Sequence, residues 1–177
     1  MAAGIVPRPL DFSRSGTGRP LGPSELARMA GRTPFLHWLL TTEGLTTAAL
    51  AARCGCRLRS QREVGVVGGR LARRHLLLDG MGRAVECAEV RMGTGHAAWA
   101  TLREALGPWL AAGGWRLRKR QIRPMAFPNH GAWLQVFPEG RSWLEVFGRS
   151  YLLDASLGGE GVCLEVIEAW NPAIVGW

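Results

Sequence analysis

Two stretches of this chain alternate apolar and polar residues on both sides of a tight turn. They are RRHLLLDGMGRAVECAEVRM, over 73–92, and FGRSYLLDASLGGEGVCLEVIEAWNP, over 147–172. A period of two is the signature of a strand, and a glycine-rich turn between two such runs makes a hairpin. Two hairpins in one chain predict an antiparallel sheet. RLRSQREVGVV, WRLRKRQIRPM, AWLQVF and SWLEVF read as further strands, the last two around the turn PEGR.

Helical signals fall between them. SELARMA opens with Ser24 as a cap, and TPFLHWLL carries Thr33 as a cap with Pro34 at the first helical position. There Phe35, Trp38 and Leu39 share one helical face. LTTAALAARCG resumes the pattern and ends at Gly55, and HAAWATLREALGPWLAAGG reads as one helix ending near Gly113. The expectation is an α+β domain over 24–177: an antiparallel sheet of about six strands with helices packed on it, preceded by a loosely ordered lead-in at 1–23.

With 177 residues, 47% of them hydrophobic, one domain has enough chain for a sizeable core. No apolar run approaches the roughly 18 residues of a membrane-spanning helix. The N-terminus has no apolar secretory core, so the expected location is the cytoplasm. Cys54, Cys56, Cys87 and Cys163 lack the spacing of a zinc site and read as reduced thiols. No metal or cofactor is expected. The net charge of +8 calls for an anionic partner. RLRKRQIR, at 116–123, is the one candidate nucleic-acid contact, but it reads better as a solvated basic strand. GTGHAA, at 93–98, fits a dinucleotide fingerprint only on paper, because the acidic residue expected about 20 positions on is missing. His37, His75, His96 and His130 are isolated in sequence.

The last strand raises a sharper question. Its even row is Val162, Leu164, Val166, Glu168 and Trp170, so Glu168 stands among apolar residues. By the same parity Arg74 joins Leu76 and Leu78, whereas Arg73 falls with His75, Leu77 and Asp79. A charge on an apolar face is costly unless it is paired or holds a ligand. Arg74 and Glu168 therefore read either as a structural ion pair or as the poles of a ligand site.

The chain resembles the chorismate pyruvate-lyases, which make 4-hydroxybenzoate. FLHWLLTTEGLTTAAL resembles the family's opening helix and the short break after it. The two hairpins resemble its central and closing hairpins, and LREALGPWL resembles its helix ending in Leu-Gly and Pro. The resemblance covers most of 35–172, in order. It implies a six-stranded antiparallel sheet enclosing a ligand cavity, and a lyase that eliminates pyruvate from chorismate without a cofactor, feeding ubiquinone biosynthesis. It implies that Arg74 binds the ring carboxylate and that Glu168, four residues before Pro172, faces the ring hydroxyl and assists catalysis. Leu45 would close over the substrate, and Trp109, after the helix-end Pro108, would border it. Glu165 is the rival for the glutamate role. The implied partner is a small anionic aromatic or pre-aromatic carboxylate such as chorismate or 4-hydroxybenzoate. The alternative on the same fold is a non-catalytic effector-sensing module. The regulators of that kind carry a winged helix ahead of the domain, for which residues 1–34 leave no room.

Overall fold

In the computed structural model, residues 18–176 are described, except 68, 94, 95, 97, 98, 100, 101, 103, 131 and 141. Most of GTGHAA and of the 1–23 lead-in lies outside the described residues. Seven strands form one antiparallel sheet: β1 (Arg19–Pro20), β2 (Arg59–Val67), β3 (Arg70–Leu78), β4 (Ala84–Met92), β5 (Arg116–Pro128), β6 (Glu145–Leu157) and β7 (Glu160–Trp170). Their order across the sheet is β1-β5-β6-β7-β4-β3-β2. Both hairpins expected from the sequence form, β3–β4 and β6–β7, and β7 joins them by pairing with β4.

The helices are α1 (Pro23–Arg32), α2 (Pro34–Thr41), α3 (Thr47–Cys54), α4 (Leu106–Ala112), α5 (Ala132–Val136) and α6 (Pro172–Val175). One face of the sheet is covered by α1 to α4. Leu36, Leu39, Leu40 and Leu50 pack there with Leu77, Phe147 and Trp170. Further along the same face, Leu106 and Leu110 of α4 meet Val90, Val166, Tyr151 and Leu153. The opposite face is covered at one end by α5, whose Trp133, Val136 and Phe137 pack with Cys87, Phe127 and Ala169. Leu76, Leu78 and Ile167 border that second core.

Several local expectations are corrected. AWLQVF is helix, not strand. Its apolar residues at 133, 136 and 137 follow the i, i+3, i+4 spacing and lay one helical face on the sheet. The cap of α1 is Gly22, not Ser24: Pro23 takes the first helical position, and Glu25 reaches back to the Gly22 amide at 2.9 Å. Thr33 makes no side-chain cap, and its hydroxyl instead donates to the Met29 carbonyl. The buried face of α2 is Leu36, Leu39 and Leu40, while Trp38 is 39% exposed. The long helix expected over 96–113 is interrupted at Ala105, which is extended, so α4 starts only at Leu106. At Gly55 the left-handed φ of 64° ends α3 as expected.

β6 and β7 approach closely at Gly148. A Cβ there would lie 2.0 Å from the Glu168 carbonyl oxygen and 2.9 Å from Ala169 Cα. Both are backbone atoms and cannot swing aside. Gly148→Ala is therefore expected to lower stability by about 3 kcal/mol, the upper end of overpacking costs. Urea unfolding checks this, and an unchanged midpoint would contradict the close approach.

Candidate functional site

Pairing register brings the polar residues of the helix-covered face into one row. Across β3, β4, β7 and β6 the row runs His75, Ala88, Glu168 and Arg149. Arg73, Val90, Val166 and Tyr151 form the adjacent row, and Glu86 sits opposite Trp170. Lys119 of β5, opposite Leu153, reaches the same region. Ala88, Val90 and Val166 are too short to fill the space between these long side chains and the helices. A cavity remains, bordered also by Leu45, Thr46, Leu106, Gly107 and Pro108. Its free volume is about 50 Å³, room for a few water molecules.

Glu168 is buried and doubly held. Arg149 Nε and Nη2 both lie 2.9 Å from Oε2, and the Tyr151 hydroxyl donates to Oε1 at 2.5 Å. The Arg149 guanidinium also donates to the Thr42 carbonyl at 2.7 Å. Lys119 Nζ donates to the Gly44 carbonyl at 2.7 Å and stands 4.8 Å from the centre of the Tyr151 ring. Thr46 Oγ1 and Trp170 Nε1 donate to Glu86 Oε2 at 3.3 and 3.1 Å. The loop 42–46, between α2 and α3, is thus tied to Glu86 and Lys119 of the cavity and to Arg149 beside it.

Arg73 is fully buried. It donates to the main-chain carbonyls of Trp99, at 2.9 Å, and Glu104, and its Nε has no partner. No carboxylate pairs with it among the described residues. Burial holds its guanidinium below the ordinary arginine value, and Arg62 adds to that, yet an arginine keeps its charge in a protein.

These surroundings shift the titrating groups. Burial, helped by the Glu168 charge, pushes the Glu86 carboxyl up to about 8. Burial brings Lys119 down to about 8, with Arg149 adding to it and Glu168 and Glu86 opposing. Burial also lowers His75 to about 4, with Arg73 reinforcing it, and raises the Tyr151 hydroxyl well above its usual value. Two basic side chains, Arg73 and Lys119, then border the cavity with Glu168 and with Glu86, which is largely neutral near pH 7. Within the cavity the balance is positive.

No family model and no curated protein matches this chain.

The structure brings Glu168 and Leu45 to the cavity but not Arg74. Arg74 projects to the opposite face, where its Nε lies 3.4 Å from Glu89. The parity argument fails because the sheet is covered on both faces: Leu76 and Leu78, in the Arg74 row, border the α5 core. The arginine that shares a face with Glu168 is Arg73. Trp109 is also displaced. It packs against Trp99, with ring centres 6.2 Å apart, while Gly107 and Pro108 border the cavity. Glu165 is on the far face, paired with Arg70 at 2.7 Å, so of the two glutamates only Glu168 is in the cavity. Glu86, Lys119, Arg149 and Tyr151 were not singled out from the sequence. Arg149 and Tyr151 share one row of RSYLLDAS with Leu153 and Ala155, but the register that sets this row beside Glu168 and Val166 is not legible in the sequence. Among the described residues no cluster of His, Cys, Asp and Glu is arranged to hold a metal ion, and no helix is long and apolar enough to cross a membrane.

Two outcomes follow for the cluster. Arg149→Met leaves Glu168 buried without its cation and is expected to cost about 3–5 kcal/mol, whereas the double variant Arg149→Met/Glu168→Leu recovers most of that loss. Urea midpoints of the three proteins check this. His75 is depressed on folding, so its contribution to stability is complete above about pH 6.5 and is lost as pH falls toward about 4. Across that window His75→Gln is expected to flatten the fall in melting temperature relative to the parent protein.

Proposed function

We propose that this protein is a lyase of the chorismate pyruvate-lyase kind, eliminating pyruvate from chorismate to give 4-hydroxybenzoate. The observation that carries the reading is Arg73: a buried, permanently charged guanidinium with no carboxylate partner among the described residues, facing the same cavity as Glu168. A buried cation without a counter-ion is costly unless a ligand supplies the anion. A ring carboxylate placed on Arg73 satisfies it, and the excess positive charge around the cavity suits a dianion. The anchor role that the resemblance gives to Arg74 passes to Arg73. Lys119 and Arg149 surround the second carboxylate, and Glu168 meets the ring hydroxyl and assists proton movement from a fixed position.

Elimination makes the ring aromatic, so the reaction needs orientation and proton handling more than driving force. The loop 42–46 must move for a ring-sized acid to enter, because about 50 Å³ is well below the several hundred Å³ of a typical small-molecule pocket. Opening the loop releases Lys119 and one Arg149 nitrogen from the Gly44 and Thr42 carbonyls, and these donors become available to the ligand. The cytoplasm and ubiquinone-type synthesis are the setting that fits this activity.

The tight closure of the cavity by three loop contacts also suits a second reading, a binding module that retains an aromatic acid without converting it. One experiment separates the two. The purified protein is incubated with chorismate, and 4-hydroxybenzoate and pyruvate are measured by chromatography. The expected result is equimolar formation of both, lost by 100-fold or more in Arg73→Met and Glu168→Gln and kept within about three-fold in Arg74→Ala. Absence of turnover together with a melting temperature raised by 4-hydroxybenzoate would favour the binding module.

A further inference from the structure

Two carboxyls face the same cavity in opposite surroundings. Glu168 is held by a guanidinium and a phenol. Among the described residues Glu86 accepts only from neutral donors, Trp170 Nε1 and Thr46 Oγ1, and both bonds fall on Oε2. Ion pairs tie Glu89 to Arg74 and Arg91, and Glu168 to Arg149, but none among the described residues reaches Glu86. With Oε2 committed as an acceptor, a proton on this carboxyl resides on Oε1. Oε1 has no hydrogen bond to a described residue, and Glu86 borders the cavity.

We propose that Glu86 is the acid of this cavity, an un-ionised carboxyl that donates a hydrogen bond from Oε1 to a bound anionic ligand and then gives up that proton in the reaction. The charge environment agrees. Burial and the Glu168 charge on β7 favour the neutral form, while Arg149 on β6, Lys119 on β5 and the Trp170 hydrogen bond oppose it. The other titratable groups around it are Tyr151 on β6, His75 and Arg73 on β3, and the Cys87 thiol on its own strand. Two acids with surroundings this different divide acid and base roles.

The proton-transfer part rests on the lyase reading above; the hydrogen-bond part does not. For a cyclohexadiene acid bearing an enol ether, the ring C–O bond breaks and its electron pair goes to the enol oxygen. Glu86 protonates that oxygen. The neighbouring ring C–H gives its proton to the Glu168 carboxylate, and the C–H electrons complete the aromatic ring. The released enol tautomerises to the keto acid, and the proton taken by Glu168 returns to Glu86 through solvent.

The test is infrared difference spectroscopy of the full chain, titrated from about pH 6 to about pH 10, with Glu86→Gln alongside. A protonated-carboxyl band is expected near neutral pH. It should fade as pH passes about 8, shift when benzoate is added, and be absent in Glu86→Gln. Wild-type protein carrying 13C-labelled glutamate gives the same titration by NMR should the variant not fold. The proposal is overturned if every carboxyl is ionised at pH 7, if the band survives in Glu86→Gln, or if benzoate leaves it unmoved. In turnover, Glu86→Gln is expected to lower kcat by about 100-fold or more with KM within about three-fold. Equal kcat in the variant overturns the proton-donor role. A wild type that releases no pyruvate overturns both that role and the lyase reading, and the infrared result still decides whether Glu86 is the neutral donor.

Discussion

The ion pair between Arg149 and Glu168 organises this molecule. It lies across β6 and β7, and the same guanidinium reaches past the sheet to the carbonyl at the end of α2. One side chain therefore fixes strand pairing and the position of the helical cover together. The arrangement requires Gly148 beside it, because only a residue without Cβ lets the two backbones come close enough. Removing water from both charges is costly, and the cost is offset only when the geometry is good and the remaining lone pairs are used. Here most are used: Arg149 Nε donates to Oε2, Tyr151 donates to Oε1 and a third nitrogen reaches the Thr42 carbonyl, while Nη2 lies against Oε2 as an ion-pair contact without a hydrogen bond of its own.

Around that pair the protein keeps an unusual number of polar groups under a helical layer. Apolar side chains at these positions would pack the core more cheaply. Lys119, Glu86 and Arg149 instead hold the 42–46 loop through main-chain and hydroxyl contacts. The cover of the cavity is thus fastened by the groups a ligand would use. Opening it exposes those donors and acceptors, and a ligand that replaces the loop contacts recovers the hydrogen bonds they lose.

The hairpins, the β2 and β5 strands and the ends of α2 and α3 are legible in the chain, because alternation, Pro34 at a helix start and Gly55 at a helix end act locally. AWLQVF does not reveal its helix in the sequence, because five or six residues fit either period and the deciding contact is with a sheet formed by other segments. Glu168 stands out because the other members of its row in β7, Val162, Leu164, Val166 and Trp170, are all apolar. Arg74 has the same apolar row, Leu76 and Leu78, yet lies on the face away from the cavity. In β3 both rows carry leucines, since α5 covers the far face at that end, so the apolar side did not identify the cavity side.

The sequence by itself determined that this chain makes antiparallel hairpins with helices between them, and that Glu168 stands on a covered face. Those outcomes follow from periodicity and turn chemistry, which need only near neighbours along the chain. The tertiary structure alone decided which arginine meets that glutamate, that Glu86 and Lys119 share its cavity, and that Trp109 does not. Such choices depend on strand register and on which layer covers which face. A shift of one residue in register exchanges Arg73 for Arg74, and no local pattern in β3 carries that information.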